Sequence, residues 1–275
     1  MRIPNRNLSR TDTEDLRGFD MCALSADELL LACGAAGLRA VSLHTAQLAA
    51  HEFSAIRDDV WRVAFDAHTD TLLLIVWAPT YASHYYQLVS LRRNANEWRE
   101  VQRLGTSLNS EVRSHMAVCD SRVLLGQWGG RTMYVFDVSA EHTLRDAGNV
   151  TLQSWIFWVA CTRLDGVTLV AFSHVTSVTL HRLTSLPRRL QPLASVGLID
   201  PYRLLFRGDL LLVDDWNRAN RIVSFRASDN ALTERRVLLE AQAGVSVLVH
   251  AWALAGDRLV LWNWESGELR VYAFT

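Results

Sequence analysis

Six short runs of leucine and valine recur along the chain, and an aspartate precedes each run by one to three positions. The aspartates are Asp27, Asp70, Asp120, Asp165, Asp209 and Asp257, at intervals of 43, 50, 45, 44 and 48 residues. A recurrent spacing of this size is typical of repeat architectures, in which each repeat is one supersecondary unit.

Each repeat divides into four predicted β-strands. An apolar strand precedes the aspartate, which lies in a tight turn, and the Leu/Val run is the second strand, apolar on both faces. The third strand alternates apolar and polar residues, and the fourth is polar, as an edge strand in solvent would be. Fourth strands are predicted over 49–53, 98–104, 149–152, 190–194 and 234–239, although propensity also allows a helix over Thr233–Ala243.

Six four-stranded antiparallel sheets of this length predict an all-β, six-bladed β-propeller. We expect a single domain over residues 1–275, with blades at about 18–59, 60–107, 111–152, 153–198, 199–245 and 246–275. The sixth repeat stops after its third strand, so residues 2–8 are predicted to supply the missing outer strand and close the ring.

Composition favours a soluble globular protein and excludes several kinds of chemistry. Hydrophobic residues make up 49% of the chain, charged residues 21%, and the net charge is −1, so neither nucleic acid nor a membrane is an expected partner. All 28 basic residues are arginine, which excludes lysine Schiff-base chemistry. Either a coding bias or avoidance of lysine modification would explain that absence.

Targeting and redox signals are also lacking. Four dispersed cysteines and the missing signal-peptide core predict a cytoplasmic protein, with the nucleus as the alternative, and a monomer. These expectations hold if the chain is not part of a longer protein.

Two sets of residues mark the predicted ligand face, where the second strand ends and the first begins. The second-strand positions are Gly34, Trp77, Trp128, Phe172, Asp215 with Trp216, and Trp264. The first-strand positions are Asp20, Trp61, Ser114, Phe157, Tyr202 and His250, with Asp59, Arg62, Arg113, His115, Trp155, Trp158, Asp200 and Arg203 beside them. Tryptophan, tyrosine and arginine are the residues that recognition hot spots favour. The alternative is that the aromatic residues pack between blades as structural spacers.

Candidate catalytic and metal-binding groups are weak. Asp214-Asp215 could bind a cation, but such a pair at a turn is more often solvated or a capping feature. The histidines lack metal-ligand spacing, and no nucleophile motif or phosphate loop occurs, so no cofactor, metal or catalytic residue is predicted.

The repeats resemble those of WD-repeat-like propellers over nearly all of residues 2–275, although no Trp-Asp or Gly-His pair is present. This resemblance implies an interaction module that binds a protein or peptide. A carbohydrate-binding propeller is the first alternative, and an enzyme with a site in a central channel is the second.

Overall fold

The computed structural model describes residues 20–45, 53, 56, 58–80, 83–95, 97–105, 114–184, 190–198, 200–215, 221–228, 230–239, 251–263 and 268–274. Every regular element in these ranges is a β-strand, and the strands form six antiparallel sheets whose order follows the sequence. The predicted all-β fold with six blades is therefore confirmed.

Three sheets come from the first half of the chain. Sheet 1 contains β1 (Asp20–Ala23), β2 (Glu28–Ala32) and β3 (Leu38–Ser42). Sheet 2 contains β4 (Asp59–Asp66), β5 (Thr71–Thr80), β6 (Ser83–Asn94) and β7 (Glu97–Gly105). Sheet 3 contains β8 (Ser114–Cys119), β9 (Arg122–Gln127), β10 (Gly130–Val138) and β11 (Leu144–Ile156).

The other three sheets come from the second half. Sheet 4 contains β12 (Trp158–Leu164), β13 (Val167–Ser173), β14 (Ser177–Leu183) and β15 (Leu190–Gly197). Sheet 5 contains β16 (Pro201–Arg207), β17 (Leu210–Asp215), β18 (Arg221–Ala227) and β19 (Leu232–Leu239). Sheet 6 contains β20 (Ala251–Ala255), β21 (Arg258–Asn263) and β22 (Glu268–Ala273).

The sheets group into two compact units of three. Unit 1 comprises Met1–Ser110, Ser139–Leu144 and Leu248–Thr275, and unit 2 comprises Glu111–Val138 and Arg145–Val247. The first strands pack against one another within each unit, β1 between β20 and β4, and β12 between β8 and β16. This packing of innermost strands is the arrangement of propeller blades.

The Leu/Val runs form the core, as their two apolar faces predict. Leu72, Leu73 and Leu74 are completely buried in β5, and Leu169 and Val170 are equally buried in β13. In unit 2, one apolar cluster joins sheets 3 and 4 and another joins sheets 4 and 5. Burial on both faces explains why these strands lack the alternation of a half-exposed sheet.

In sheets 3 to 6 the turn after the first strand has two residues, the length of a tight β-hairpin. Asp165-Gly166 has φ values of 48° and 79°, the double positive φ of a type I′ turn. Gly208 and Gly256 instead place glycine first, at φ 58° and 59°, before Asp209 and Asp257. Glycine suits this place because a first central residue with positive φ strains other side chains.

The fourth strand predicted over 234–239 is confirmed as part of β19, and the helical alternative is wrong for the described residues 233–239, because ladder pairing with β18 outweighs helix propensity there. One detail of the strand prediction is wrong. The outer strand of sheet 3 is β11, which is far longer than 149–152 and includes Ile156, so the next first strand begins only at Trp158. The chain passes from one sheet to the next at Phe157.

The predicted ring closure lies outside the described residues, as do residues 49–52 of the first outer strand. In sheet 6, β22 pairs with β21 on one side, and no described strand pairs with its other side. We still predict that residues 2–8 pair there. Replacing residues 2–8 by a glycine-serine segment of equal length should then lower the melting temperature by several degrees, or about 2 kcal/mol. Equal melting temperatures for the two chains would contradict closure.

Candidate functional site

The start of each first strand and the end of each second strand lie at the same end of a sheet. In unit 2, Trp158 pairs with Ser173 and Pro201 pairs with Asp215. The aspartate turns lie at the opposite end of the same strands. The two predicted sets of ligand-face residues therefore share one end of each sheet, here called the loop end.

Hydrogen bonds tie the loop-end segments of unit 2 to one another. These segments, residues 128–129, 155–157 and 174–176 together with Leu198 and Asp200, are here called the loop belt. The backbone bonds, from donor nitrogen to acceptor oxygen, are Gly129 to Ile156 at 2.8 Å, Phe157 to Ser173 at 2.9 Å, Leu198 to Thr176 at 3.1 Å and Asp200 to Val175 at 3.0 Å. Since successive segments share these bonds, the loop belt is a connected surface.

Large apolar side chains are exposed on this belt. Trp155 is 55% exposed and Val175 is 47% exposed. Their segments are adjacent, because the carbonyl oxygen of Trp155 lies 2.7 Å from Nδ1 of His174. Only one other large hydrophobic residue among those described is exposed, Val237 at 48%, and it lies on the outer strand β19.

The first strands of unit 2 bring four predicted site residues together in a row. The rings of His115 and Trp158 have centroids 4.0 Å apart and planes tilted by 34°, and the Tyr202 ring lies 5.9 Å from Trp158. The Arg203 guanidinium lies 5.0 Å from the Trp158 ring centre, within cation–π range. His115 is completely buried, and Trp158 and Arg203 are each 6% exposed. Three of the four side chains are therefore buried, and Tyr202 is half-buried.

A register shift accompanies a buried arginine in one sheet of each unit. The ladder is irregular between Val60 and Arg62 in β4, and between Pro201 and Leu204 in β16. Arg62 and Arg203 are both 6% exposed. β-Bulges redirect side chains in this way, and no sequence pattern marks them.

The remaining predicted site residues are separate from this row. Trp128 contacts Phe157 edge to face, with centroids 5.5 Å apart, whereas Trp61 contacts Tyr86 in unit 1 at 6.3 Å. Trp77 is half-buried on β5. Arg113, Trp216, His250 and Trp264 lie outside the described residues. Phe172 packs in the cluster between sheets 3 and 4, as the structural alternative for these aromatics predicts.

The acidic pair at the end of β17 is buried, so the expectation of a solvated or capping pair is wrong. Asp214 is 4% exposed and Asp215 is 1% exposed. Asp215 accepts a 2.8 Å hydrogen bond from Nε of Arg221, a paired arrangement that a buried carboxylate requires. Burial raises the pKa of Asp214 to about 7, with Arg203 opposing the rise and Asp215 adding to it. Asp214 is therefore partly protonated at neutral pH.

Sequence reasoning did not select His174, His181 or Val175 as site residues. His174 and Val175 follow Phe172 at the end of β13, so the alignment of repeats came within three residues of them. The sequence contains no signal that distinguishes a histidine supporting a loop from one in the core.

No protein-family model matches the chain, and no curated protein matches its sequence. Among solved structures, the chain is similar to the β-propeller domain of Cps50 (Swd1) from Myceliophteria thermophila, at a TM-score of 0.57 and 12% identity. That match covers 94% of this chain and 85% of the other. It is also similar to a protein from Lactobacillus plantarum, at a TM-score of 0.61 and 15% identity, covering 94% and 81% of the two chains.

These similarities and the six sheets define the class of fold as a six-bladed β-propeller. At such low identity the likeness extends to the fold alone. No helix in the described part of the chain is long and apolar enough to cross a membrane.

Proposed function

We propose that the protein is a non-enzymatic interaction module that binds a protein or peptide on the loop belt of unit 2, with Trp155 as the main contact. The observation that carries this proposal is the 55% exposure of Trp155 on a strand end whose backbone is hydrogen-bonded. Exposed aromatic side chains that are already ordered supply contact area at a low entropic cost.

The composition of the belt supports a largely apolar contact. Val175 follows His174, whose Nδ1 lies 2.7 Å from the Trp155 carbonyl oxygen, and Asp200 is the charged residue among the described residues of the four segments. A few aromatic contacts surrounded by neutral ones are the usual anatomy of a protein interface. A partner peptide that places an apolar or aromatic side chain against Trp155 fits this surface better than a peptide that places an acidic or basic side chain there.

The row of His115, Trp158, Tyr202 and Arg203 lies on the first strands of unit 2, close in sequence to the belt segments. Trp158 is held between His115 on one side and Tyr202 on the other. Because Trp158 itself is only 6% exposed, its substitution would damage packing and would not report on binding alone. Trp155 is the better residue for a functional test.

The test compares two exposed residues of unit 2 in peptide binding. Peptides selected on the wild-type protein from a random library should bind Trp155→Ala at least about 10-fold more weakly, a loss typical of a truncated hot spot. The matched control is Val237→Ala, which removes an equally exposed side chain away from the belt and should change the dissociation constant less than about twofold.

Two results would contradict the proposal. One is a selected peptide that binds Trp155→Ala as tightly as wild type. The other is a library that yields no peptide while a glycan array yields a sugar whose binding needs Trp155, since an indole also stacks on sugar rings. That second result would establish the carbohydrate-binding alternative.

A further inference from the structure

His174 connects the exposed Trp155 to a buried polar network. It is 7% exposed and lies just after β13. Its Nδ1 lies 2.7 Å from the Trp155 carbonyl oxygen, and its Nε2 lies 2.8 Å from Oγ1 of Thr179. On the other side of Thr179, Nε2 of His181 lies 3.0 Å from the same hydroxyl. The network thus runs from the belt surface into β14.

Donor and acceptor chemistry fixes the direction of every bond in this network. A carbonyl oxygen only accepts, so Nδ1 of His174 carries the proton. Neutral His174 then accepts at Nε2, and the Thr179 hydroxyl donates to it. The hydroxyl oxygen in turn accepts from Nε2 of His181. Each ring nitrogen in these bonds therefore has one role, the Thr179 hydroxyl both donates and accepts, and His174 is held in the Nδ1–H tautomer.

Burial keeps both rings neutral near pH 7. Desolvation lowers the pKa of His174, although its bond to the Trp155 carbonyl opposes that change. Desolvation, followed by the nearby His174, lowers the pKa of His181 to about 4. Neutral rings are the state that the bond directions require.

The bond to His174 is one of three that hold consecutive peptide groups at Trp155. The carbonyl of Ile156 accepts from the Gly129 nitrogen, and the Phe157 nitrogen donates to the Ser173 carbonyl. Of these three hydrogen bonds, the one to the Trp155 carbonyl oxygen comes from a side chain, and the other two join backbone groups. Since the peptide plane sets the Cα–Cβ direction, the orientation of the exposed indole depends on the imidazole.

We propose that His174 is a positioning residue, which holds the Trp155 carbonyl so that the exposed indole keeps the orientation that meets a partner. This inference rests on the proposed function for its consequence, but the positioning itself is measurable without a partner. Thr179 and His181 contribute by keeping the proton of His174 on Nδ1.

Two substitutions separate positioning from general stability. His174→Asn places its amide nitrogen near the place of Nδ1 and can still donate to the Trp155 carbonyl, whereas His174→Phe keeps the ring and lacks a donor. Both variants lose the bond to Thr179, so a purely structural role predicts that they behave alike.

The readout is amide hydrogen exchange of the segment 155–157 in the full chain. We expect exchange to be about 10-fold faster in His174→Phe and within about twofold of wild type in His174→Asn. A second readout is the resonance of 5-fluorotryptophan at position 155, assigned by its loss in Trp155→Phe, which should shift only in His174→Phe. Equal exchange in the two variants, or no change in either, would overturn the inference.

Binding of a peptide selected on the wild-type protein separates this inference from the proposed function. If His174→Phe frees the segment and weakens the peptide while His174→Asn does not, both are supported. If the exchange result holds but Trp155→Ala binds the peptide normally, the contribution to partner binding is overturned and only the local ordering by His174 remains.

Discussion

Replacing Trp98 by alanine is expected to lower the free energy of unfolding by about 3–5 kcal/mol, the range for a large aromatic removed from a packed core. Trp98 is 1% exposed although it lies on the outer strand β7. Its ring meets Phe65 edge to face at 6.3 Å, and the Arg93 guanidinium lies 4.9 Å from its centre. It belongs to the apolar cluster that joins sheets 1 and 2. Its removal leaves a cavity that this cluster cannot fill without moving strands.

Trp155→Ala is the matched control for this measurement, because it deletes the same atoms from an exposed position. We expect it to change the unfolding free energy by less than about 0.5 kcal/mol. Urea unfolding of both variants followed by circular dichroism gives the comparison. Similar urea midpoints for Trp98→Ala and Trp155→Ala would contradict the burial of Trp98.

Replacing Asp214 by asparagine is expected to stabilise the protein at pH 8 by about 3–4 kcal/mol, and to have little effect near pH 4. Burial raises the pKa of this carboxyl from 3.8 to about 7. The unfolded chain releases the proton above pH 4, while the folded chain retains it until about pH 7. Below pH 4 Asp214 therefore does not lower the free energy of unfolding of the wild type. That free energy falls as the pH rises from about 4 to about 7, and the contribution of Asp214 is constant at higher pH.

Asparagine resembles the protonated carboxyl and has no proton to lose, so the pH-dependent part of the destabilisation disappears. The control is Asp200→Asn, which neutralises an exposed aspartate of the same unit. The free energy of unfolding is measured for the three proteins at pH 4, 6 and 8. Asp214→Asn should match wild type at pH 4 and exceed it increasingly at pH 6 and 8, whereas Asp200→Asn should not diverge from wild type. Parallel curves for all three proteins would refute the buried, protonated state of Asp214.

The architecture could be predicted because it depends on a local signal repeated six times. Each aspartate turn fixes a hairpin, and each Leu/Val run is too apolar to lie in anything except a buried strand. Asp165-Gly166 and the strand that follows it illustrate both signals within nine residues. The fold follows from these periodic constraints without knowledge of distant contacts.

The candidate site was predicted only in part, because its residues differ in exposure for reasons of long-range packing. Trp155 and Trp158 are three residues apart and looked equivalent, yet one is exposed and the other buried. The chain leaves the outer strand β11 and enters the inner strand β12 at Phe157, so the two side chains lie in different layers. A signal for Trp155 did exist, since it continues the exposed positions Thr151 and Gln153 along β11.

The burial of Arg203 and Asp214 had no comparable signal. Arg203 reaches Trp158 because the ladder of β16 and β17 is irregular there. Asp214 ends a strand that the sequence marks only as apolar followed by two acids. In both cases the environment is made by neighbouring sheets, and a single sequence does not encode that environment locally.

Hydrogen exchange of the protein with and without a selected peptide tests the central claim most directly, because it compares the two ends of the same sheets. We expect slower exchange in residues 155–157 and 174–176 and at Leu198 and Asp200 when the peptide is bound, and unchanged exchange at the turns Asp120-Ser121 and Asp165-Gly166. Protection at those aspartate turns, with none on the loop belt, would contradict it.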